Sequence, residues 1–132
     1  NTLATSDFTE KLLDKETLEN LEEISGDPKF LSGLLSGFLS DAERLLEKME
    51  SSLASKDFDS YLEHAHALKG SSGSVGAAGL FEVCKKINDS PTDTSNNIDN
   101  LKEAYRIYGA TKTELNQYIE GKTSQTDNAN SN

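Results

Sequence analysis

Cysteine, proline and tryptophan are scarce in this sequence, and long apolar runs are missing. The chain of 132 residues has one cysteine, two prolines and no tryptophan. A lone Cys84 excludes an internal disulfide, and without a second cysteine or a histidine cluster we expect no metal site. No apolar run reaches the roughly 18 residues of a membrane span, and no basic segment precedes an apolar stretch at the amino terminus. We therefore expect a cytoplasmic chain without a disulfide.

Positive charge is also in short supply. Thirteen lysines and arginines face 23 acidic residues, which gives a formal net charge of -10. Such a field repels nucleic acid phosphates and anionic lipid, so we expect neither nucleic acid nor a membrane as a partner. The length is typical of a single domain. We expect the chain to be monomeric.

Apolar residues recur at spacings of three and four, and alternation with a period of two is absent, so the fold class is predicted as all-α. Asp27-Pro28 and Asp57 are typical of helix starts, whereas Gly26 and Gly121 are typical of helix ends. The predicted segments are a short leading helix over 6–13, a second over 15–25, a long helix from 28 to about 55, helices over 58–75 and 77–88, a polar loop over 89–97 and a final helix from 98 to 121.

Each predicted helix has one apolar face. Four such helices bury these faces most economically as an antiparallel four-helix bundle, with the short N-terminal helices covering one end. We expect this bundle over residues 1–121 and a disordered polar tail over residues 122–132. The predicted core positions are Phe8, Leu12, Leu13, Leu18, Leu21, Ile24, Phe30 or Leu31, Leu34, Leu35, Phe38, Ala42, Leu45, Leu46, Met49, Leu53, Tyr61, Ala65, Leu68, Ser72, Val75, Ala77, Leu80, Cys84, Ile87, Ile98, Leu101, Tyr105, Tyr108, Leu115 and Ile119.

The unusual chemistry lies between His64 and Gly76, where glycines interrupt a predicted helix at a cost of roughly 1 kcal/mol each. At about 100° per residue, His66 points well away from the core stripe and should face outward. Gly70, one turn further on, leaves space over the imidazole for a bulky group. Lys69 lies on the adjacent ridge and supplies a cation that neutralises the oxygens of such a group.

The two histidines are expected to have separate roles. Residues two apart on a helix point about 200° from each other, so His64 and His66 cannot chelate one ion. His64 lies at the margin of the core stripe, where a structural role is the simpler interpretation. His66 alone would be read as an ordinary surface histidine, and its neighbours Lys69 and Gly70 favour a functional role instead.

The run from His66 to Ser72, His-Ala-Leu-Lys-Gly-Ser-Ser, followed by Gly76, resembles the signature of histidine-containing phosphotransfer (HPt) domains. The similarity covers roughly residues 20 to 90 and is strongest to the module at the carboxyl end of bacterial hybrid sensor histidine kinases. It implies a four-helix bundle in which His66 is the phosphoacceptor, with Lys69 and Gly70 at the family's lysine and glycine. Many members have a glutamine near the imidazole, where this sequence has Asn88 as a shorter hydrogen-bonding amide.

The resemblance also implies a phosphorelay function. His66 would accept a phosphoryl group from an aspartyl phosphate of a response-regulator receiver domain and pass it to another receiver. Mg²⁺ is expected on the partner receiver, and no cofactor is expected on this domain. The sequence has no P-loop pattern and therefore no ATP site of its own, while the parent chain could be a hybrid sensor kinase with this domain as its cytoplasmic part.

A docking surface for the receiver is also needed. Its predicted residues are Leu62 and Gly73 beside His66, joined by Phe8, Leu12 and Leu13 of the leading helix. The alternative for the leading-helix residues is that they simply cover the bundle core.

A non-catalytic scaffold that docks a receiver without accepting phosphate is the main alternative. A hydrolase with His66 as general base lacks an adjacent nucleophile and a carboxylate partner. A metal-carrying bundle needs the Glu-x-x-His spacing, whereas Glu63 directly precedes His64.

Overall fold

The computed structural model of the chain describes residues 12–89 and 94–131, with side chains over 12–89 and 96–121. Five helices make up these residues, and no strand occurs among them. The predicted helix over 6–13, with Phe8, falls mostly outside the described residues. The helices are α1 (Lys15–Ser25), α2 (Pro28–Ala54), α3 (Phe58–Val75), α4 (Ala78–Asp89) and α5 (Thr94–Ser131).

The starts of α2 and α3 follow the predicted capping residues. Asp27 accepts a hydrogen bond from the backbone N–H of Lys29 at 3.0 Å, and Pro28 occupies the first turn of α2. Asp57 accepts from the backbone N–H of Ser60 at 3.2 Å at the start of α3. Both carboxylates satisfy amides that have no partner within the helix, so the predicted starts are confirmed.

Two glycines end helices in the left-handed conformation. Gly26 has φ 65° after α1, and Gly76 has φ 79° after α3. The N–H of each returns to a carbonyl of the preceding turn, that of Glu22 or Ser72. Glycine adopts this conformation without a steric penalty from Cβ, which sets the lengths of both helices.

The four longer helices form a closed ring in which each packs against two neighbours. Contacts join α2 to α3, α3 to α4, α4 to α5 and α5 back to α2, and across the diagonal a hydrogen bond links Tyr61 of α3 to α5. Short connections between successive helices make α2, α3 and α4 antiparallel. The helix α1 lies across α2 and α3, so the predicted four-helix bundle with a covering N-terminal helix is confirmed.

The core contains most of the predicted apolar stripe, and three predicted members are wrong. Ile24 is 81% exposed, Ile98 45% and Leu34 39%. Steps of three residues drift about 60° per step, which carries Ile24 off the face set by Leu18. Ile98 points outward because its predecessor Asn97 takes the inner position. Leu34 lies at the edge of the α2 stripe.

Polar groups of α5 enter the core unexpectedly. Asn97, Asn100 and Thr111 are buried. The hydroxyl of Tyr61 donates to the carbonyl oxygen of Asn97 at 3.3 Å, and burial raises the pKa of this phenol to about 12. The Tyr108 hydroxyl donates to the Leu39 carbonyl at 3.0 Å, and these bonds tie α5 to α3 and α2.

The segment before α1 is bound to the turn between α3 and α4. The N–H of Asp14 donates to the carbonyl of Gly76 at 2.7 Å, and the N–H of Gly79 donates to the carbonyl of Leu12 at 3.1 Å. The side chain of Leu12 is buried against the core, and that of Leu13 packs on it half-buried. These leucines therefore close the α3–α4 end of the bundle.

The end of α5 was predicted wrongly. The helix continues through Gly121 to Ser131, and it begins at Thr94 rather than after a loop ending at Asn97. Gly121 does not take a positive φ, so it acts as an ordinary helical residue with a modest propensity cost. The disorder of the polar residues 122–132 in solution stays a prediction.

The turn at Gly76 offers a test of the fold. A Cβ at this position would lie 2.9 Å from the carbonyl oxygen of Asp14 and 3.1 Å from Cβ of Thr17, on a backbone with φ 79°. We expect Gly76→Ala to lower the free energy of unfolding by about 1–3 kcal/mol in urea titrations. In the control Gly109→Ala nothing lies within 4 Å of the new Cβ, and a gain of about 0.4–1 kcal/mol is expected. Equal stability of the two variants would contradict this account of the turn.

Candidate functional site

His66 lies near the middle of α3 with its side chain exposed. The opposite face of the helix is fully used in packing, because Tyr61, Ala65, Leu68, Ser72 and Val75 are buried. His66 follows Ala65 by about 100° and precedes Leu68 by about 200°, which turns its imidazole away from the core. The sequence therefore predicted the orientation of His66 correctly.

A shallow, open depression borders the imidazole. It is lined by Asp59, Leu62, Glu63 and His66. These residues lie one and two turns before His66 on the same face, so one side of the ring carries two carboxylates around an apolar centre. Leu62 is half-buried and packs partly on the core, so only part of its side chain is offered to a partner.

Gly70 leaves the space on the other side of the imidazole empty. A Cβ built at Gly70 would have no heavy atom within 4 Å, and the residue is exposed. Packing therefore does not require a glycine here, while an exposed helix position would gain stability from alanine. The open space is compatible with the predicted clearance for a large group at His66, which stays a prediction.

Gly73 has a different structural role. A Cβ there would lie 3.3 Å from Cδ1 of Phe81, so the missing side chain makes room for the phenylalanine ring of α4. Gly73 is itself exposed. Its position sets how closely α3 and α4 approach, and its predicted part in receiver docking stays a prediction.

Lys69 lies one turn after His66 on the edge of α3 that faces α4. Its side chain is half-buried. Burial raises the pKa of the nearby Cys84 thiol to about 12, and the positive charge of Lys69 opposes this rise. The ammonium group thus lies at the junction of α3 and α4, beside the turn that carries His66.

The side chain of Asn88 contacts the backbone of α3 next to the site. Its side-chain Nδ2 donates to the carbonyl oxygen of Leu62 at 3.2 Å, the same carbonyl that the His66 N–H reaches in a regular helix. The Asn88 Oδ1 is buried without a hydrogen-bond partner. The predicted hydrogen bond to the imidazole or a phosphoryl group therefore stays a prediction, and the observed contact joins α4 to the turn beneath His66.

His64 is half-buried, as the sequence predicted. Hydrogen bonds from Ser60 lower the pKa of Asp57, and the charge of His64 adds a smaller effect in the same direction. His64 therefore belongs to the surroundings of the α3 cap, separate from the His66 face.

Leu12 and Leu13 were predicted to join the docking surface, and their part in receiver docking stays a prediction. The carbonyl oxygen of Leu12 accepts a hydrogen bond from the N–H of Gly79, and the Leu12 side chain lies beside Gly79. The turn at Gly76 is ten residues beyond His66, about 15 Å along the helix axis. The alternative that these leucines cover the core is the one that the structure supports, because their apolar side chains gain more from burial.

Two charged residues beside His66 were missed. Asp59 and Glu63 precede it by seven and three residues, a spacing that already placed them on its face. In the described part of the chain, no group of three or more histidine, cysteine or acidic side chains is arranged to hold a metal ion. No helix there has the length and apolar character needed to cross a membrane.

Comparison with known proteins agrees with this arrangement. The family model of the Hpt domain matches residues 33–120, which include His66, Lys69, Gly70 and Asn88. Histidine-containing phosphotransfer protein 2 of rice is 32% identical over 97 residues, covering 70% of this chain and 65% of the relative. Histidine-containing phosphotransfer protein 1 of Arabidopsis thaliana is 35% identical over 81 residues, covering 58% of this chain and 52% of the relative. The chain thus spans about half to two thirds of the length of these relatives.

A solved structure is similar over nearly the whole chain. The histidine-containing phosphotransfer protein of Medicago truncatula superposes with a TM-score of 0.77 and 26% identity, over 96% of this chain and 88% of that chain. The predicted link to a bacterial hybrid sensor kinase stays a prediction. The four-helix bundle, the exposed histidine on α3 and the family match over residues 33–120 agree. The chain belongs to the histidine-containing phosphotransfer (Hpt) domain family.

Proposed function

We propose that this chain is a phosphorelay intermediate in which His66 accepts a phosphoryl group from one receiver domain and passes it to another. The observation that carries the proposal is the exposed imidazole of His66 between the open space at Gly70 and the cation of Lys69. The names of the curated relatives, histidine-containing phosphotransfer proteins, support the same activity.

The transfer forms one bond and breaks one. The imidazole nitrogen without a proton supplies the electron pair of the new P–N bond, while the other ring nitrogen keeps its proton. The P–O bond to the donor aspartate breaks, and its electron pair leaves with the carboxylate. An in-line approach needs free space along the N–P axis, which Gly70 leaves open. The reverse reaction loads the next receiver.

Lys69 and the receiver domain both stabilise the negative charge of the phosphoryl group. The phosphoryl oxygens carry negative charge throughout the transfer, and Lys69 supplies a flexible cation at the α3–α4 junction. Mg²⁺ and the donor or acceptor aspartate belong to the receiver domain. His66 is then a nucleophile and carrier, and the machinery that activates the phosphoryl group comes from the partner.

Receiver docking is proposed at the depression around Leu62. An apolar centre with a charged rim is the usual form of a small protein interface. We expect Leu62→Glu to weaken receiver binding about tenfold or more in calorimetry, because a charge would then need to be buried in the contact. The bundle should remain folded, since Leu62 is only half-buried.

The matched control for docking is Ile98→Glu. Ile98 is a large exposed apolar residue on α5, 45% exposed, and it lines a groove with Leu53 and Ala54 of α2 rather than with His66. Binding unchanged in this control but reduced by Leu62→Glu supports docking at His66. Equal affinities for both variants and the wild type would contradict it.

The function is tested by following a radiolabelled phosphoryl group. The chain is mixed with a labelled receiver phosphate and Mg²⁺, purified, and then mixed with a second, unlabelled receiver. We expect label first on this chain and then on the second receiver. Measurable binding without label on the chain would contradict the relay and favour the docking scaffold.

A further inference from the structure

We propose that Lys85 of α4 is a second phosphoryl-binding cation at His66, held by Asp89 while the histidine is unmodified. The inference rests on the proposed phosphotransfer function and adds to it a residue that the sequence analysis did not select. Its basis is the register between α3 and α4, which places Lys85 on the groove that His66 borders.

Two contacts fix that register. Phe81 lies 3.3 Å from the Cβ position of Gly73, and Asn88 Nδ2 lies 3.2 Å from the Leu62 carbonyl oxygen. Lys85 lies between Phe81 and Asn88 on the same ridge of α4, four residues after one and three before the other. It therefore belongs to the row of side chains that faces α3.

The axial level of Lys85 matches the turn that carries the imidazole. Lys85 precedes Asn88 by three residues, a shift of about 4.5 Å towards the carboxyl end of α3, because the helices are antiparallel. The same shift along α3 leads from Leu62 to Ala65, directly before His66 and one turn before Lys69. Packed helices lie about 8–10 Å apart, which a lysine side chain bridges across the groove.

The side chains of Lys85 and His66 both point outward from the junction of α3 and α4. Lys85 is exposed, as is His66, whereas the neighbouring Cys84 is buried. The two residues thus border the α3–α4 groove from opposite sides at its solvent edge. The half-buried Lys69 lies deeper in the same groove, so a phosphoryl group on His66 would meet one cation from each helix.

The present partner of Lys85 is replaceable. Its Nζ lies 3.3 Å from Oδ2 of Asp89, and the side chains are 52% and 62% exposed. Exposed pairs of this kind contribute little to stability, since water screens both charges. A phosphoryl group on His66 carries up to two negative charges and would compete well for the ammonium group.

The surroundings make a second cation useful. Asp59 and Glu63 lie beside His66, and the chain carries a formal net charge of -10. A phosphorylated histidine therefore forms in a negative field that opposes it. Lys69 and Lys85 together offset this field on the α4 side of the ring.

The test uses the whole chain and a small phosphoramidate donor, so that receiver docking does not enter the result. The donor loses its P–N bond, His66 gains one, and ammonia leaves. We compare Lys85→Met with Lys86→Met, which removes the same charge one residue away. Lys86 lines the groove on the other side of α4, with Leu12, Gly79 and Ile107.

We expect Lys85→Met to lower the initial rate of His66 phosphorylation about 3- to 10-fold, and Lys86→Met to change it less than twofold. Lys85→Arg should restore most of the rate, and Asp89→Asn should raise it, because Lys85 is then released. The loss in Lys85→Met should shrink in 1 M salt, as expected for a partly exposed charge.

The outcomes separate this inference from the proposed function. If the wild type is phosphorylated and Lys85→Met and Lys86→Met have equal initial rates of His66 phosphorylation, the role of Lys85 is overturned. The relay then remains intact. Wild type that accepts no phosphoryl group from the small donor or from receivers would overturn the relay itself. Circular dichroism confirms that each exposed-site variant is folded.

Discussion

Replacing His66 with alanine is expected to reduce phosphoryl transfer from a receiver to this chain by at least about 1,000-fold. The substitution removes the proposed nucleophile, and the neighbouring Lys69 is proposed as a charge partner of the phosphoryl group rather than as its acceptor. The fold should be preserved, because the His66 side chain is exposed and alanine is a good helix former. Single-turnover labelling and urea unfolding measure the two effects.

The matched control is His64→Ala, which removes a histidine from the same helix about 200° away. His64 is half-buried near the α3 cap, so this variant should show a modest loss of stability and transfer within about twofold of wild type. Label that persists in His66→Ala and disappears in His64→Ala would move the acceptor to residue 64.

Gly70→Leu is expected to slow phosphoryl transfer about 10- to 100-fold while raising the stability of the bundle. The new side chain would stand one turn from His66 and occupy the approach to the imidazole, and small errors in alignment of this kind carry large rate penalties. A Cβ at Gly70 meets nothing within 4 Å, so the helix gains up to about 1 kcal/mol of propensity.

Slower phosphoryl transfer together with higher stability in Gly70→Leu would identify Gly70 as a glycine required for function and not for folding. Gly109→Leu serves as the control, because Gly109 is also helical, exposed and open on all sides. It should gain similar stability in urea unfolding and transfer the phosphoryl group at the wild-type rate. Equal transfer rates in Gly70→Leu and Gly109→Leu would contradict the clearance role of Gly70.

The helix boundaries at capping residues were predictable because their chemistry is local. Asp27-Pro28, Asp57 and Gly26 each act within one turn of their own position, so the sequence contains the whole cause. Gly121 looked the same in sequence, yet α5 passes through it. A glycine ends a helix only where the backbone turns to positive φ, and neighbouring residues decide that.

Core membership was less predictable at the ends of helices and in α5. The polar side chains of Asn97 and Asn100 occupy the inner face, where an apolar pattern alone would place Ile98. Hydrogen bonds such as that from Tyr61 to the Asn97 backbone depend on which helix lies opposite. Leu12 is another case, because its burial depends on the α3–α4 turn far along the chain.

Some features of the site were predictable from the sequence of one helix, and others depend on how two helices pack. The outward direction of His66 and the proximity of Lys69 and Gly70 follow from the helical repeat of a single segment. The contact of Asn88 with the Leu62 carbonyl and the level of Lys85 depend on the register of two helices. Spacing within one helix does not contain that register, so these features needed the structure.

The most direct test of the central claim is to map the phosphoryl group on the loaded wild-type chain. The chain is phosphorylated by a labelled receiver with Mg²⁺, digested at alkaline pH to preserve P–N bonds, and sequenced by mass spectrometry. We predict a single acid-labile phosphoryl group on the peptide that contains His64 and His66, with fragmentation assigning it to His66. A group on a serine or aspartate, or an unmodified chain that still binds the receiver, would contradict the account.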